Sequence, residues 1–475
     1  MRPHAAPASP IARLVLLGRI AAGNVGRTIR DYVVYFLTLA IAVCLLYAFI
    51  ASTDYLGALG LTAAQRGLLA QASNVTQAFS LFMVLVFACL VRYANRFIVR
   101  RRRREFGLYL LLGMGPASSG CILAIEGLMA GAVSLAAGVV LGVFLSPLFG
   151  LVAAYVFEIA WRPLLTVSVP ALVWTAAVFG CLSVLGAASA ARLVLRRTPA
   201  DLMRPVRMPT VRPARSRVAT AARLVAAALL LAAVWGACLL QPVYFIVYII
   251  PAGCLAWVAS YLVLDDATRR IPCRLRRRPA RYWVGVRPFS ARQLECGGHT
   301  AVMACTCVLL AAGACMVAAG LSFTVGVRVA PAVDAVGAQT LAPIGYVGLF
   351  FGLTFLVSAA AVLALQQLAA AADARHAYAV MDELGAPRAD LRASVRAQVL
   401  ACFGLPTVLA LAHCVFGMVL VAFVATGVGA TSTAGIAAGT LAAVCAGVLL
   451  YGALTAWCCE RELPRTAVRR GSGLG

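Results

Sequence analysis

Ten apolar runs, at 33–52, 74–94, 121–143, 168–190, 222–240, 243–264, 301–323, 345–365, 399–423 and 434–456, recur along the 475-residue chain. Each is long enough to cross a hydrocarbon core of about 30 Å. In lipid a spanning segment must satisfy its own backbone hydrogen bonds, so runs of this length predict helices. The chain is 63% hydrophobic, with a mean hydropathy of +0.93; soluble domains sit nearer 45–50% apolar, by rough averages. The expected fold is an all-α polytopic membrane protein of about ten transmembrane helices.

The arginines set its orientation. The net charge is +25, from 41 basic residues that are all arginine. Assigned to loops, only Arg66, Arg162 and Arg328 fall on one side of the expected membrane. Such asymmetry predicts that the basic side, with both termini, is cytoplasmic. It also accounts for the charge without nucleic acid. A phosphate-binding Walker loop needs a lysine, and the chain has none. Any ATP-driven work therefore needs a second chain. No compact apolar segment with a small-residue cleavage site precedes the first run, so no cleaved signal peptide is expected.

A unit repeats at an offset of 272 positions. Arg100–Gly113 holds five arginines, then Glu105-Phe106-Gly107 and Leu112-Gly113; Arg375, Tyr378 and Leu384-Gly385 answer it further on. Arg103 maps on Arg375, Phe106 on Tyr378, Leu112-Gly113 on Leu384-Gly385 and Glu126 on Gln398. Both stretches are elbows between two apolar runs. Repeated membrane units of this kind build many transporters. Phe106, Tyr109, Leu110 and Gly113 fall at helical spacing, as do Tyr378, Met381 and Gly385. They are expected to present an apolar face to a cytoplasmic partner.

The expected organisation runs as follows. Residues 1–73 hold the N-terminus, the first span and an outer loop. Residues 74–197 are the first repeat (spans two to four), and 198–221 are a Pro- and Arg-rich linker that cannot be one helix. Residues 222–344 hold spans five to seven and a short outer loop. Residues 345–460 are the second repeat (spans eight to ten), and 461–475 a cytoplasmic tail.

Little else carries chemistry. Glu126 and Gln398 lie near the cytoplasmic interface and are read as structural. His413 lies deeper, where ionisable groups are costly; a helix–helix hydrogen bond and a mechanistic role both stay open. Asp265-Asp266 sit at a span end among arginines, which explains them by charge pairing. The cysteines read as small hydrophobes in helices. Gly138 and Gly142 fit close helix packing. No catalytic constellation and no metal-ligand or cofactor set is found, so a non-catalytic chain is expected. A secondary transporter would want acids near the bilayer midplane, and none is read there.

Four passages, in order, resemble FtsX-like ABC transporter permeases, in particular the ten-span bacitracin-resistance (BceB-type) group. They are Arg30–Leu39; Arg104–Met114 with Glu126; Arg287–Leu294; and Gln366–Leu368 through Tyr378, Leu384-Gly385, Arg396, Gln398, Pro406 and His413. The resemblance makes spans 2–4 and 8–10 FtsX-like repeats. It implies a permease subunit of the bacterial cytoplasmic membrane, coupled to a separate ABC ATPase that binds the ATP. Arg103, Arg104, Glu105, Phe106, Gly107, Leu112, Gly113, Arg375, Tyr378, Leu384 and Gly385 would form the coupling elbows. Membrane lipids, a second permease copy and a sensor kinase are further partners it implies. Export or mechanotransmission, acting on amphipathic or antimicrobial peptides or lipid-linked compounds, is the implied work; a signalling adaptor acting on a kinase or cell-wall enzyme is the alternative. That group carries a large extracellular domain between spans seven and eight, whereas only about Thr324–Ile344 stands there in this chain.

Overall fold

A computed structural model describes residues 10–27, 39–48, 105–157, 167–195, 215–241, 248–295, 300–326, 335–427, 429–431 and 433–461, with isolated positions between them. The described elements are helices: α1 Pro10–Arg27, α2 Pro116–Phe157, α3 Val169–Leu195, α4 Arg217–Leu240, α5 Ile249–Arg276, α6 Pro279–Tyr282, α7 Arg287–Glu295, α8 Thr300–Leu321, α9 Ala335–Glu383, α10 Arg388–Gly427 and α11 Thr433–Arg461. A π-helical turn, Ser322–Gly326, continues α8. Among the described residues seven helices are long and apolar enough to cross a membrane, and they stand where spans three, four, five and seven to ten were expected. The apolar helix Leu39–Ala48 lies in the first expected span. The second, 74–94, falls largely outside the described residues, as do linker residues 201–214. The apolar start of α5 occupies the place of the sixth and runs on as a charged helix to Arg276.

The chain divides into two compact units, Met1–Pro205 and Val206–Gly475. In the first, α2 packs on α3, and α1 lies against the start of α2 through Leu17, Ala21 and Ile122. Helix Leu39–Ala48 reaches α2 where that helix has no side chains. A Cβ on Gly138 would sit 2.5 Å from the Val43 Cβ and 2.6 Å from the Ala40 carbonyl; one on Gly142 would sit 2.8 Å from the Tyr47 ring. Small residues at i and i+4 let two backbones close in lipid, where no hydrophobic drive draws helices together. The Tyr47 hydroxyl accepts from the Ser168 amide (3.2 Å), and the Ser168 hydroxyl caps α3 by accepting from Ala171 N–H (3.1 Å).

In the second unit α8 and α9 are the interior pair: 56% and 67% of their apolar stretches are buried, against 11% for α11. The exposed flank of α11 is what lipid would cover.

The stretch between the eighth and ninth expected spans, 366–398, is not a loop. Helix α9 runs unbroken for 49 residues and α10 for 40, roughly 70 and 60 Å at 1.5 Å per residue. Both exceed the hydrocarbon thickness about twofold. The stretch from Gln366 to Glu383 loses apolarity but not helix propensity, being rich in alanine. The span therefore continues as a rod and turns only at Leu384-Gly385. Likewise α2 runs past the expected end at 143 to Phe157, through Pro147.

Candidate functional site

Both elbows are built by one hydrogen-bond pattern. In the first, Leu112 N–H donates to Leu108 C=O (2.9 Å), Gly113 to Leu110 (3.2 Å) and Met114 to Tyr109 (3.0 Å). Then Ser118 and Ser119 donate to the Gly115 carbonyl (3.0 and 3.2 Å), opening α2. In the second, Leu384 donates to Val380 (3.0 Å), Gly385 to Asp382 (3.1 Å), Ala386 to Met381 (3.0 Å), and Asp390 and Leu391 to Pro387 (2.9 and 3.2 Å). Every bond recurs 272 positions on. The six-to-one bond onto Tyr109 or Met381 closes a Schellman motif, which needs a left-handed residue at its centre. Gly113 and Gly385 both have φ of +90°, a conformation that costs residues bearing a Cβ.

The face each elbow presents differs from the expectation. Phe106 is fully buried and Tyr378 2% exposed, and Gly107 is buried too. These side chains hold the elbow to its own unit instead of offering it to a partner. Helical spacing correctly groups Phe106 with Tyr109 and Leu110 but does not say which way the group points. The turn tips carry the exposed apolar groups instead: Leu112 at 76% and Leu384 at 81%, each backed one turn earlier by an exposed residue, Leu108 or Val380. Glu105, Arg375 and His376 are exposed beside them. Arg103 and Arg104 lie outside the described residues.

Inside the first elbow Glu126 is fully buried. Its carboxylate pairs with the buried Arg102 guanidinium and accepts from Asn24 Nδ2 of α1 (2.8 Å). Arg102 also bonds Glu105 (2.8 Å), and Asn24 reaches the Tyr109 hydroxyl (3.4 Å). Inside the second elbow Gln398 Nε2 donates to the Tyr378 hydroxyl (2.9 Å), which lies 3.1 Å from Ser394 Oγ. Ser394 meets Ser290 of α7 at 2.6 Å, and Phe289 packs edge-on against Tyr378 at 5.1 Å. A helix earlier in the chain thus covers each elbow, α1 in one unit and α7 in the other. Sequence reading missed Arg102, Asn24, Ser290 and Ser394. Arg102 was hidden in a uniform arginine block; its place one helical turn before Phe106 was the signal.

His413 joins three helices. The Trp235 indole of α4 donates to its Nδ1 (3.3 Å), and its Nε2 meets Ser260 Oγ of α5 at 3.0 Å. An indole N–H only donates, so Nδ1 accepts and the ring is neutral with its proton on Nε2. Trp235 stacks on Phe416 at 4.1 Å beside it. The helix–helix hydrogen bond is therefore present. Asp265 and Asp266, both buried, are ion-paired by Arg215 (2.8 and 3.2 Å) and Arg223 (3.2 and 3.7 Å), with Arg269 on Asp265 (3.4 Å). Burial works against the Arg215 charge, but the two carboxylates outweigh it and raise its pKa. Among the described residues no group of three potential metal ligands converges.

Residues 78–199, which include the first elbow turn, α2 and α3, match the family described as FtsX-like permease C-terminal. That stretch is similar to an FtsX-like permease domain. Bacitracin export permease protein BceB of Halalkalibacterium halodurans is 30% identical over 156 residues, 33% of this chain and 23% of that protein. ABC transporter permease protein YxdM of Bacillus subtilis is 29% identical over 142 residues, 30% of this chain and 22% of its own length. BceB of Bacillus subtilis is 30% identical over 156 residues, again 33% and 23%. The matches thus span under a quarter of these relatives' length. The similarity is to permeases of the BceB type, in a multi-pass membrane protein. The second elbow lies outside the family match, and its shared hydrogen-bond pattern ties it to the first.

Proposed function

We propose that this chain is the permease subunit of an ABC transporter, driven by a separate ATPase chain that seats on the two elbow tips. The observation that carries the reading is the recurrence of one Schellman turn, in both units, with an exposed leucine at its apex. An apolar side chain more than three-quarters exposed on a rigid turn is suited to a groove on a partner. Two such turns at one offset fit a partner that itself comes as a pair. The arginine asymmetry supports placing elbows and termini in the cytoplasm of a bacterial cell membrane, where ATP is. The lack of lysine supports leaving nucleotide binding to the other chain.

The rods of α9 and α10 suit the relay of motion. A partner that closes on ATP would push an elbow, and a stiff helix would carry the displacement across the bilayer, as export or as mechanotransmission. Two of the relatives are bacitracin export permeases, which supports a peptide-antibiotic substrate class; amphipathic or lipid-linked compounds belong to the same proposal. Between Gly326 and Ala335 there are only eight residues (327–334), so ligand would meet the helices themselves or the bilayer around them.

The test is affinity purification in mild detergent, comparing wild type with a Leu112→Asp/Leu384→Asp double variant and assaying ATPase activity in each eluate. An ATPase chain that co-elutes with the wild type and is lost from the folded variant supports the assignment. A folded wild type that retains no ATPase overturns it. Phe106 and Tyr378 are unsuitable targets, because charging a buried ring would unfold the elbow.

A further inference from the structure

Four buried or half-buried positions fasten each elbow to the helix that follows it, and they change as a set between the two units. At the 272 offset, Arg102 answers to Ala374, Phe106 to Tyr378, Ile122 to Ser394 and Glu126 to Gln398. The first two of each set lie on the arm entering the turn, and the last two lie on α2 or α10 leaving it. The first unit closes the joint with a buried ion pair, Arg102 to Glu126, flanked by two apolar side chains. The Arg102 guanidinium also stands 5.4 Å from the centre of the Phe106 ring. The second unit has lost the arginine to alanine, and all three other positions have become neutral hydrogen-bonding groups. They form one chain, Gln398 to Tyr378 (2.9 Å) to Ser394 (3.1 Å).

Neither set works in part. A carboxylate at 126 facing alanine at 102 would lose a buried, hydrogen-bonded charge partner, which is unfavourable. A glutamine at 398 facing phenylalanine at 378 would lose the hydroxyl it donates to. Buried polar groups must be matched as a network or not at all.

We propose that Arg102/Phe106/Ile122/Glu126 and Ala374/Tyr378/Ser394/Gln398 are two interchangeable forms of one pin, which makes the elbow and its following helix move as a single lever. These are positioning residues, which act through the turn that carries Leu112 or Leu384. The pin stands on geometry alone; its part in coupling rests on the permease reading.

The experiment transplants the pin in the full chain, in mild detergent. Hydrogen exchange is followed at the amides of Leu108–Met114 for wild type, for Arg102→Ala, for Arg102→Ala/Glu126→Gln, and for the full set R102A/F106Y/I122S/E126Q. Protection should fall by about tenfold or more in the first two variants and return to within about threefold of wild type in the full set. The reciprocal set A374R/Y378F/S394I/Q398E should likewise keep protection at Val380–Ala386, where Gln398→Glu alone loses it. If Arg102→Ala does not yield folded protein, Glu126→Gln alone takes its place in the comparison. A full set no better protected than the double variant overturns the proposal. The second readout is stimulation of the ATPase partner. The pin predicts that Arg102→Ala keeps the partner bound but loses stimulation, and that the full set regains both; stimulation unchanged in Arg102→Ala removes the coupling role. If wild type binds no ATPase, the permease reading fails while the exchange result still decides the pin.

Discussion

Gly113 and Gly385 are the residues on which each elbow turns, and the space around them isolates the cause. A Cβ at either position would meet nothing within 4 Å, yet both have φ of +90°. Substitution is therefore opposed by backbone conformation and not by crowding. Gly113→Ala and Gly385→Ala should each cost about 1–2 kcal/mol, and asparagine, which tolerates the left-handed region, should cost less. Thermal unfolding in detergent, read in the order Gly, Asn, Ala, checks this; alanine melting like wild type would remove the Schellman reading. His413 gives a second residue-scale prediction. His413→Ala removes two helix–helix hydrogen bonds and leaves the Trp235 indole without its acceptor. Bonds of this class in membranes average about 0.6 kcal/mol and reach about 1.7, so a loss of roughly 1–3 kcal/mol is expected. The blue shift of Trp235 emission should diminish with it. What the sequence disclosed at this scale was identity more than direction. Leu112-Gly113 and Leu384-Gly385 were legible because a Leu-Gly pair after an aromatic residue is distinctive against an apolar background. That Phe106 points inward and Leu112 outward was not, because both are apolar and the sequence period only says which residues share a face. Arg102 could not be separated from its four arginine neighbours by charge; its place one helical turn before Phe106 was the signal, and the buried Glu126 carboxylate is what it meets.

At the scale of elements, hydropathy located the membrane-crossing helices but ended several of them too soon. It reports where a helix leaves lipid, and α9 leaves lipid without ceasing to be helix. Nothing between Gln366 and Glu383 breaks it, and Ala371 and Ala377 pack that extension against the cluster around Leu391 and Val395. On the permease reading proposed above, the stiffness of this extension would let an elbow about 28 Å beyond Leu365, at 1.5 Å per residue, act on the span. Ala372→Pro tests it. Proline in a helix interior costs about 3 kcal/mol and kinks the axis. Ala372 is only partly buried, so the spans should still insert and the Trp235–His413 contact should persist. Stimulation of a bound ATPase should be lost while the ATPase itself still co-purifies. Undiminished stimulation would mean that force enters by another element. The same mutation six residues past Gly385, Leu391→Pro, would confound the result, since Leu391 is buried in the elbow core.

For the whole molecule, division into two compact units at Pro205 and Val206 gives a further test. Each unit holds a complete elbow with its own covering helix, and the Trp235, His413 and Ser260 contacts lie wholly within the second. Residues 206–475 expressed alone should therefore insert and fold. Their Trp235 emission should match the full chain's and should shift with His413→Ala by the same amount. Orientation can be read on the same fragment, because its arginines are divided unequally: of those in 206–475, only Arg328 falls in an expected outer loop. Positive charge is retained on the cytoplasmic side, so fusions after Arg278 and after Arg461 should report cytoplasm, and one after Arg328 the outside. A fragment that folds but inserts in the opposite sense would put the elbows away from ATP and end the permease reading at its root. A fragment that inserts correctly without showing the Trp235 signature would place the stability of the second unit in its attachment to the first. The arginine count and the buried polar contacts are independent of each other, so agreement between the fusions and the emission would tie the direction of insertion to the fold that follows from it.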